Sequence, residues 1–95
     1  MLIVRPSARL GAAQAPITTS ASSQQSAAFG AQTYQIRVCV IANPCWIKIG
    51  DNPTATANDT LLPVNSIEYF TVTPGQKLAV LQQTGAGTLS ITEIV

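Results

Sequence analysis

The stretch Tyr34-Gln-Ile-Arg-Val-Cys-Val-Ile41 decides the fold class. Tyr34, Ile36, Val38 and Val40 stand at alternate positions, with Gln35, Arg37, Cys39 and Ile41 between them. A period of two, filled largely with β-branched residues, marks a strand that turns one face to a core. Asn43-Pro44 ends it, because proline has no amide to donate and pushes its predecessor out of the helical region. Cys45-Trp-Ile-Lys-Ile49 then resumes the alternation, with Cys45, Ile47 and Ile49 on one face and Trp46 and Lys48 on the other.

The same pattern continues toward the C-terminus. Gly50-Asp51-Asn52-Pro53 reads as a turn into Thr54-Ala55-Thr56, a short edge-like segment that runs into a polar loop through Asn58 and Asp59. Leu61, Leu62 and Val64 lead through Pro63 and Asn65-Ser66 into a strand from Ile67 to Val72. Thr73-Pro74-Gly75-Gln76 suits a type II turn, which is not the preferred hairpin turn, so it reads as a connection between sheets. Lys77 to Gln82 and Thr88 to Ile94 complete the set on either side of Gly85-Ala86-Gly87. About six to eight short strands, with turn signals roughly every 8 to 12 residues and no helical periodicity, predict an all-β fold: a small β-sandwich or jelly-roll-like barrel. Its inward face is expected to hold Tyr34, Ile36, Val38 and Val40, with Leu89 and Ile91 opposite or beside them.

Toward the N-terminus the composition changes. Residues 10 to 32 carry no charge and are rich in Ala, Ser, Thr and Gln, so they cannot make a core of their own. We expect residues 1–14 to form an extended N-terminal arm that orders on a partner, and residues 15–95 to form the sandwich, with an outer strand around Ile17 to Ser22. Met1-Leu-Ile-Val with Ala13-Gln-Ala15 imitates a secretory signal, but Arg5, Pro6 and Arg9 interrupt an apolar run of only four residues. Synthesis in the cytoplasm without export of its own is therefore expected. No stretch approaches the length of an apolar membrane span.

Composition narrows the function. The 95 residues suit one domain, and at that size only about 60 to 65% of the unfolded surface is buried, so docking or oligomerisation would add stability. Charged residues make up 9% of the chain, against about 25% in ordinary soluble domains, which leaves a polar surface that repels neighbours weakly. Net charge is +1, with Arg5, Arg9, Arg37, Lys48 and Lys77 dispersed, so neither nucleic acid nor an anionic membrane is an expected partner.

There is no histidine, and the ionisable nucleophiles and bases reduce to Asp51, Asp59, Glu68, Glu93, Cys39 and Cys45. Glu68 and Glu93 invite a paired-carboxylate reading, but neither has a recognisable activating neighbour, and no enzyme activity is expected. Cys39 and Cys45 are read as free thiols in apolar β context, ahead of a disulfide across the turn or a metal site. Asp51, Asn52, Asn58 and Asp59 lack the dense acidic spacing of calcium loops and read as solvated turn residues. No cofactor is expected. Trp46 has two readings, a partner anchor or a position in the core or at a barrel end.

Several of these segments resemble a known group. Ile49-Gly50, Asn52-Pro53-Thr54-Ala55-Thr56, Leu61-Leu62-Pro63, Glu68-Tyr69-Phe70, Pro74-Gly75-Gln76-Lys77-Leu78-Ala79-Val80 and Gly87-Thr88-Leu89-Ser90-Ile91-Thr92-Glu93 together look like small tailed-bacteriophage virion proteins of the capsid cement, or decoration, and minor head type. The resemblance runs from Tyr34 to Glu93 and rests on turn and strand motifs. It implies a non-enzymatic virion protein on the capsid surface that binds the major capsid protein or other virion proteins as a homo-oligomer, a trimer being favoured. Partner contacts are expected in the arm, at Leu2, Ile3, Val4, Arg5 and Arg9, and at Trp46. Head-completion, connector or tail components, and a glycan- or receptor-binding sandwich, are the alternatives; the last would want exposed aromatics clustered on one face.

Overall fold

The computed structural model describes residues 9–95. Its strands, in chain order, are β1 (Leu10–Ala13), β2 (Ile17–Thr18), β3 (Gln24–Gln25), β4 (Gln35–Ile41), β5 (Cys45–Gly50), β6 (Thr60–Leu62), β7 (Ile67–Thr71), β8 (Lys77–Gln82) and β9 (Thr88–Ile94), with no helix among the described residues. They form two antiparallel sheets packed as a β-sandwich. In the first, β4 lies between β7 and β9, and the other side of β9 carries β1 and β2 end to end. In the second the order is β3-β8-β5-β6.

The alternation in β4 predicts its burial. Ile36, Val38 and Val40 are buried, and Leu89 and Ile91 of β9 lie beside them in register on the same inner face. Cys45 and Ile47 of β5, with Leu78 and Val80 of β8, face them from the second sheet, and Phe29, Leu62 and Val72 fill the ends of the same cluster. Burying each large aliphatic side chain contributes about 1.5 to 3 kcal/mol, so this double row is the main source of cohesion. The layers are joined by repeated crossings, because β4 to β5, β6 to β7, β7 to β8 and β8 to β9 each change sheet.

Two crossings show why their residues are there. Thr73 to Gln76 is a turn between the sheets, closed by the Gln76 N–H on the Thr73 carbonyl, with Gly75 at φ 87°. Glycine adopts that angle without strain, as the type II reading requires. At Gly87 a Cβ would stand 2.7 Å from the Ile41 carbonyl oxygen and 2.9 Å from the Asn43 nitrogen, so only glycine lets β9 start against the β4–β5 turn.

Three expectations about local structure change. Tyr34 is 62% exposed, just before β4 begins at Gln35, and it does not join the core; Val72, whose N–H bonds the Tyr34 carbonyl, is buried there instead. Thr54–Thr56 is not a strand. Side chains hold this loop instead: the Ala55 N–H donates to Ser23 Oγ, and Gln25 Nε2 of β3 donates to Asn52 Oδ1 and the Pro53 carbonyl just before it, each at 2.8 to 2.9 Å. Leu10–Ala13, placed by sequence in the arm, is β1 and pairs with β9 through a register shift. Residues 1–8 of that arm lie outside the described residues.

The inner face yields a stability prediction. Ile36→Ala or Ile91→Ala should lower the unfolding free energy by about 2 to 5 kcal/mol. Gln35→Ala and Ser90→Ala, half-exposed on the outer face, should change it by less than about 0.5 kcal/mol. Urea denaturation of the four variants measures this, and equal losses at all four would mean that the register is wrong.

Candidate interaction surface

The ionisable groups fall apart spatially. Glu68 of β7 and Glu93 of β9 lie on strands separated by β4, in register with Val38 and Ile36 respectively, so roughly 10 Å separates their strands. They do not share a site. Cys39 sits half-buried on the outer face of the first sheet, whereas Cys45 is buried on the inner face of the second, and both are free thiols. Burial pushes the Cys45 thiol up to about 11. Asp59 closes its own loop, its Oδ2 accepting from the Thr56 N–H at 2.7 Å and from Thr56 Oγ1 at 3.1 Å. No group of three or more His, Cys, Asp or Glu side chains converges among the described residues.

Glu93 is the one buried acidic side chain among the described residues, and it ties three separate segments together. Its Oε1 accepts from the Gly30 N–H at 3.0 Å and from the Thr33 hydroxyl, and its Oε2 lies 3.5 Å from Gln14 Nε2. Burial by itself would raise the Glu93 carboxyl, but the bonds from Thr33, Gly30 and Gln14 outweigh it and hold the group below its ordinary value. Gln14 in turn reaches the second sheet's side of the molecule: its Nε2 donates to the Ala27 carbonyl and its Oε1 accepts from the Ala27 N–H. This carboxylate is a structural clasp. Local sequence shows Glu93 only as a candidate half of a carboxylate pair, since Thr33 and Gly30 are some sixty residues away in the chain.

The two outer faces are the surfaces available for contact. On the first sheet, Ile41 and Ile67 are about half-exposed, and Cys39 lies in register with Ile67. Around them stand Gln35, Thr71, Thr88, Ser90 and Thr92, with Arg37 as the single charged side chain that the register of β4, β7 and β9 places on this face. On the second sheet, Trp46 is half-buried in a row with Leu81 and the 43% exposed Leu61. Trp46 is therefore on an outer face, and not in the core. Arg9 is exposed at the start of β1, where its carbonyl accepts from the Val95 N–H; Leu2, Ile3, Val4 and Arg5 lie outside the described residues. The exposed Ile41 and Ile67 were not singled out by sequence, although an apolar residue on the polar phase of β4 was a visible signal for the first.

Comparison with protein-family models, with curated proteins and with solved structures finds no match to this chain.

Two predictions follow from the buried groups. A carboxyl held low in the folded state adds stability that is complete above its unfolded value, near 4.5, and is lost as pH falls below that through the folded value. Glu93→Ala should cost about 1 to 3 kcal/mol at neutral pH, since it leaves the Gly30 N–H and Thr33 hydroxyl unpaired. Its unfolding free energy should also fall less between pH 5 and pH 3 than that of the parent chain; denaturant titrations at the two pH values measure both effects, and an unchanged acid limb would count against the clasp. In the folded protein, iodoacetamide should label Cys39 well before Cys45, because the buried thiol holds its proton and is shielded. Peptide mass mapping of a time course reads the order.

Proposed function

We propose that this chain is a non-enzymatic virion structural protein of a tailed bacteriophage, a capsid cement or decoration protein that binds the head shell and stabilises it as a symmetric oligomer. The observation that carries the reading is the nearly uncharged outer face of the first sheet, where Ile41 and Ile67 are exposed among Thr, Ser and Gln side chains. Apolar area on a surface of this kind gains by docking, and little electrostatic repulsion opposes packing many copies side by side. The resemblance of the segments between Tyr34 and Glu93 to virion proteins supports the same role. Capsid proteins are the partners on this reading, and the capsid surface is its location.

The placement of the aromatics weighs against a glycan-binding role. Phe29 is in the core and Phe70 packs against it, Trp46 and Tyr69 lie on opposite outer faces, and Tyr34 stands before β4. They form no common platform for a sugar ring.

Shell binding tests the proposal. Purified protein mixed with undecorated shells should bind saturably, and raising the salt from about 0.1 M to 1 M, which shortens the screening length from roughly 10 to 3 Å, should change the bound copies by less than about twofold. Ile67→Asp should reduce binding without unfolding the sandwich. Absence of saturable binding, or binding abolished by salt alone, would sink the cement role and favour a connector or tail position.

A further inference from the structure

At one side of the sandwich a groove of about 460 Å³ runs between residues 14–18, at the free side of the first sheet, and residues 24–27, at the free side of the second. Its walls are two strand edges. In β3 the Ser26 N–H bonds the Leu78 carbonyl at 2.7 Å, and the same register sets Gln25 opposite Ala79. Ladder bonds alternate along an antiparallel pair, so Gln25 turns its N–H and C=O away from β8. The Thr19 N–H on the Gly87 carbonyl fixes the same parity in β2, where Thr18 turns its N–H and C=O away from β9. These four main-chain groups have no partner among the described residues.

One rung of an added strand is already imitated there. At Ala27, two residues beyond Gln25, the Gln14 side-chain amide both donates to the carbonyl at 3.2 Å and accepts from the N–H at 3.1 Å. That is the pair of bonds a residue of a neighbouring strand makes, and an extended segment laid along β3 takes the next pair at Gln25. No charged side chain lines the groove, while Ala15, Pro16, Ile17 and Ala27 supply apolar wall. The fitting occupant is extended, uncharged and aliphatic.

We propose that the groove takes the Leu2-Ile3-Val4 segment of a second copy of this chain as an added β-strand. That segment is uncharged and is the one run of large aliphatic residues before Tyr34. Residues 1–8 can span up to about 26 Å when extended, enough to cross to a neighbour. To fill the groove of its own copy the segment would have to reverse direction before Arg9. β1 runs from Leu10 toward Gln14, so the residues before Arg9 start from its far end. A tight reversal at about residues 6–7 would set residues 2–4 beside residues 9–11, short of the groove. Two copies can exchange the segment reciprocally and so close the contact. The assignment concerns self-association alone and stands whether or not the chain binds a capsid shell.

Sedimentation of the full chain over a concentration series, together with hydrogen exchange at the Thr18 and Gln25 amides, tests it. Self-association should rise with concentration, and in the oligomer both amides should exchange at least about tenfold more slowly than in the dilute protein. Ile3→Asp, which alters no residue of the two sheets, should weaken association at least about tenfold and abolish that protection, with the thermal unfolding of the sandwich unchanged. A chain that stays monomeric throughout, an oligomer with unprotected groove amides, or an Ile3→Asp chain that behaves as the parent would each overturn the proposal. Protection that appears only on adding a different protein would assign the groove to that partner and overturn the second-copy assignment as well.

Discussion

The pairing of β4 with β9 is the constraint on which the rest of the molecule depends. Seven consecutive residues of β4, Gln35 to Ile41, face Ile94 to Thr88 in unbroken register, joining the middle of the chain to its last strand. That register puts Ile36, Val38, Val40, Leu89 and Ile91 on one face, and a slip of one residue would turn the buried set of one of the two strands to solvent. It also carries Glu93 inward beside Ile36, where the carboxylate can collect Gly30, Thr33 and Gln14. The edge formed by β1 and β2 has no partner other than β9, so the N-terminal side of the described chain is held by the same strand.

A fold built this way has little use for charge. Cohesion comes from the aliphatic double row and from main-chain ladders, and no buried side-chain polar atom among the described residues lacks a partner. What remains on the outer faces is mostly hydroxyl, amide and aliphatic surface, with Arg37 on the first sheet and Lys48 and Lys77 on the second as the cations of the central strands. Such a surface generates little field to steer a charged ligand. It suits close packing against similar surfaces, and this joins the proposed shell role to the strand-exchange contact.

The parts legible in the sequence were those governed by neighbours in the chain. Alternation in β4 and β5 and the Pro-Gly turn after Val72 depend on local sterics, and the structure follows them. Tyr34 fits the alternation but not the burial, because it stands outside β4, which begins at Gln35, and alternation alone does not say where a strand starts. Thr54–Thr56 has strand-like residues, yet Ser23 and Gln25 from the other side of the chain capture its loop. Leu10–Ala13 carries no two-residue pattern at all; the free edge of β9 makes it a strand. Glu93 was visible as a carboxylate, but its clasp needs partners some sixty residues away, which no local reading supplies. For the interaction surface, only Ile41 and Trp46 left a local trace, whereas the groove beside β3 arises from two edges that meet only in the fold.

The proposed role is that of a repeated structural subunit of a capsid surface, held by uncharged contacts. Quantitative mass spectrometry of purified particles, counting this chain against the major capsid protein, tests it most directly. The account predicts on the order of hundreds of copies per particle, in a fixed ratio to the shell protein as symmetry requires. A count of about a dozen or fewer, the number a single portal or tail ring holds, would contradict it.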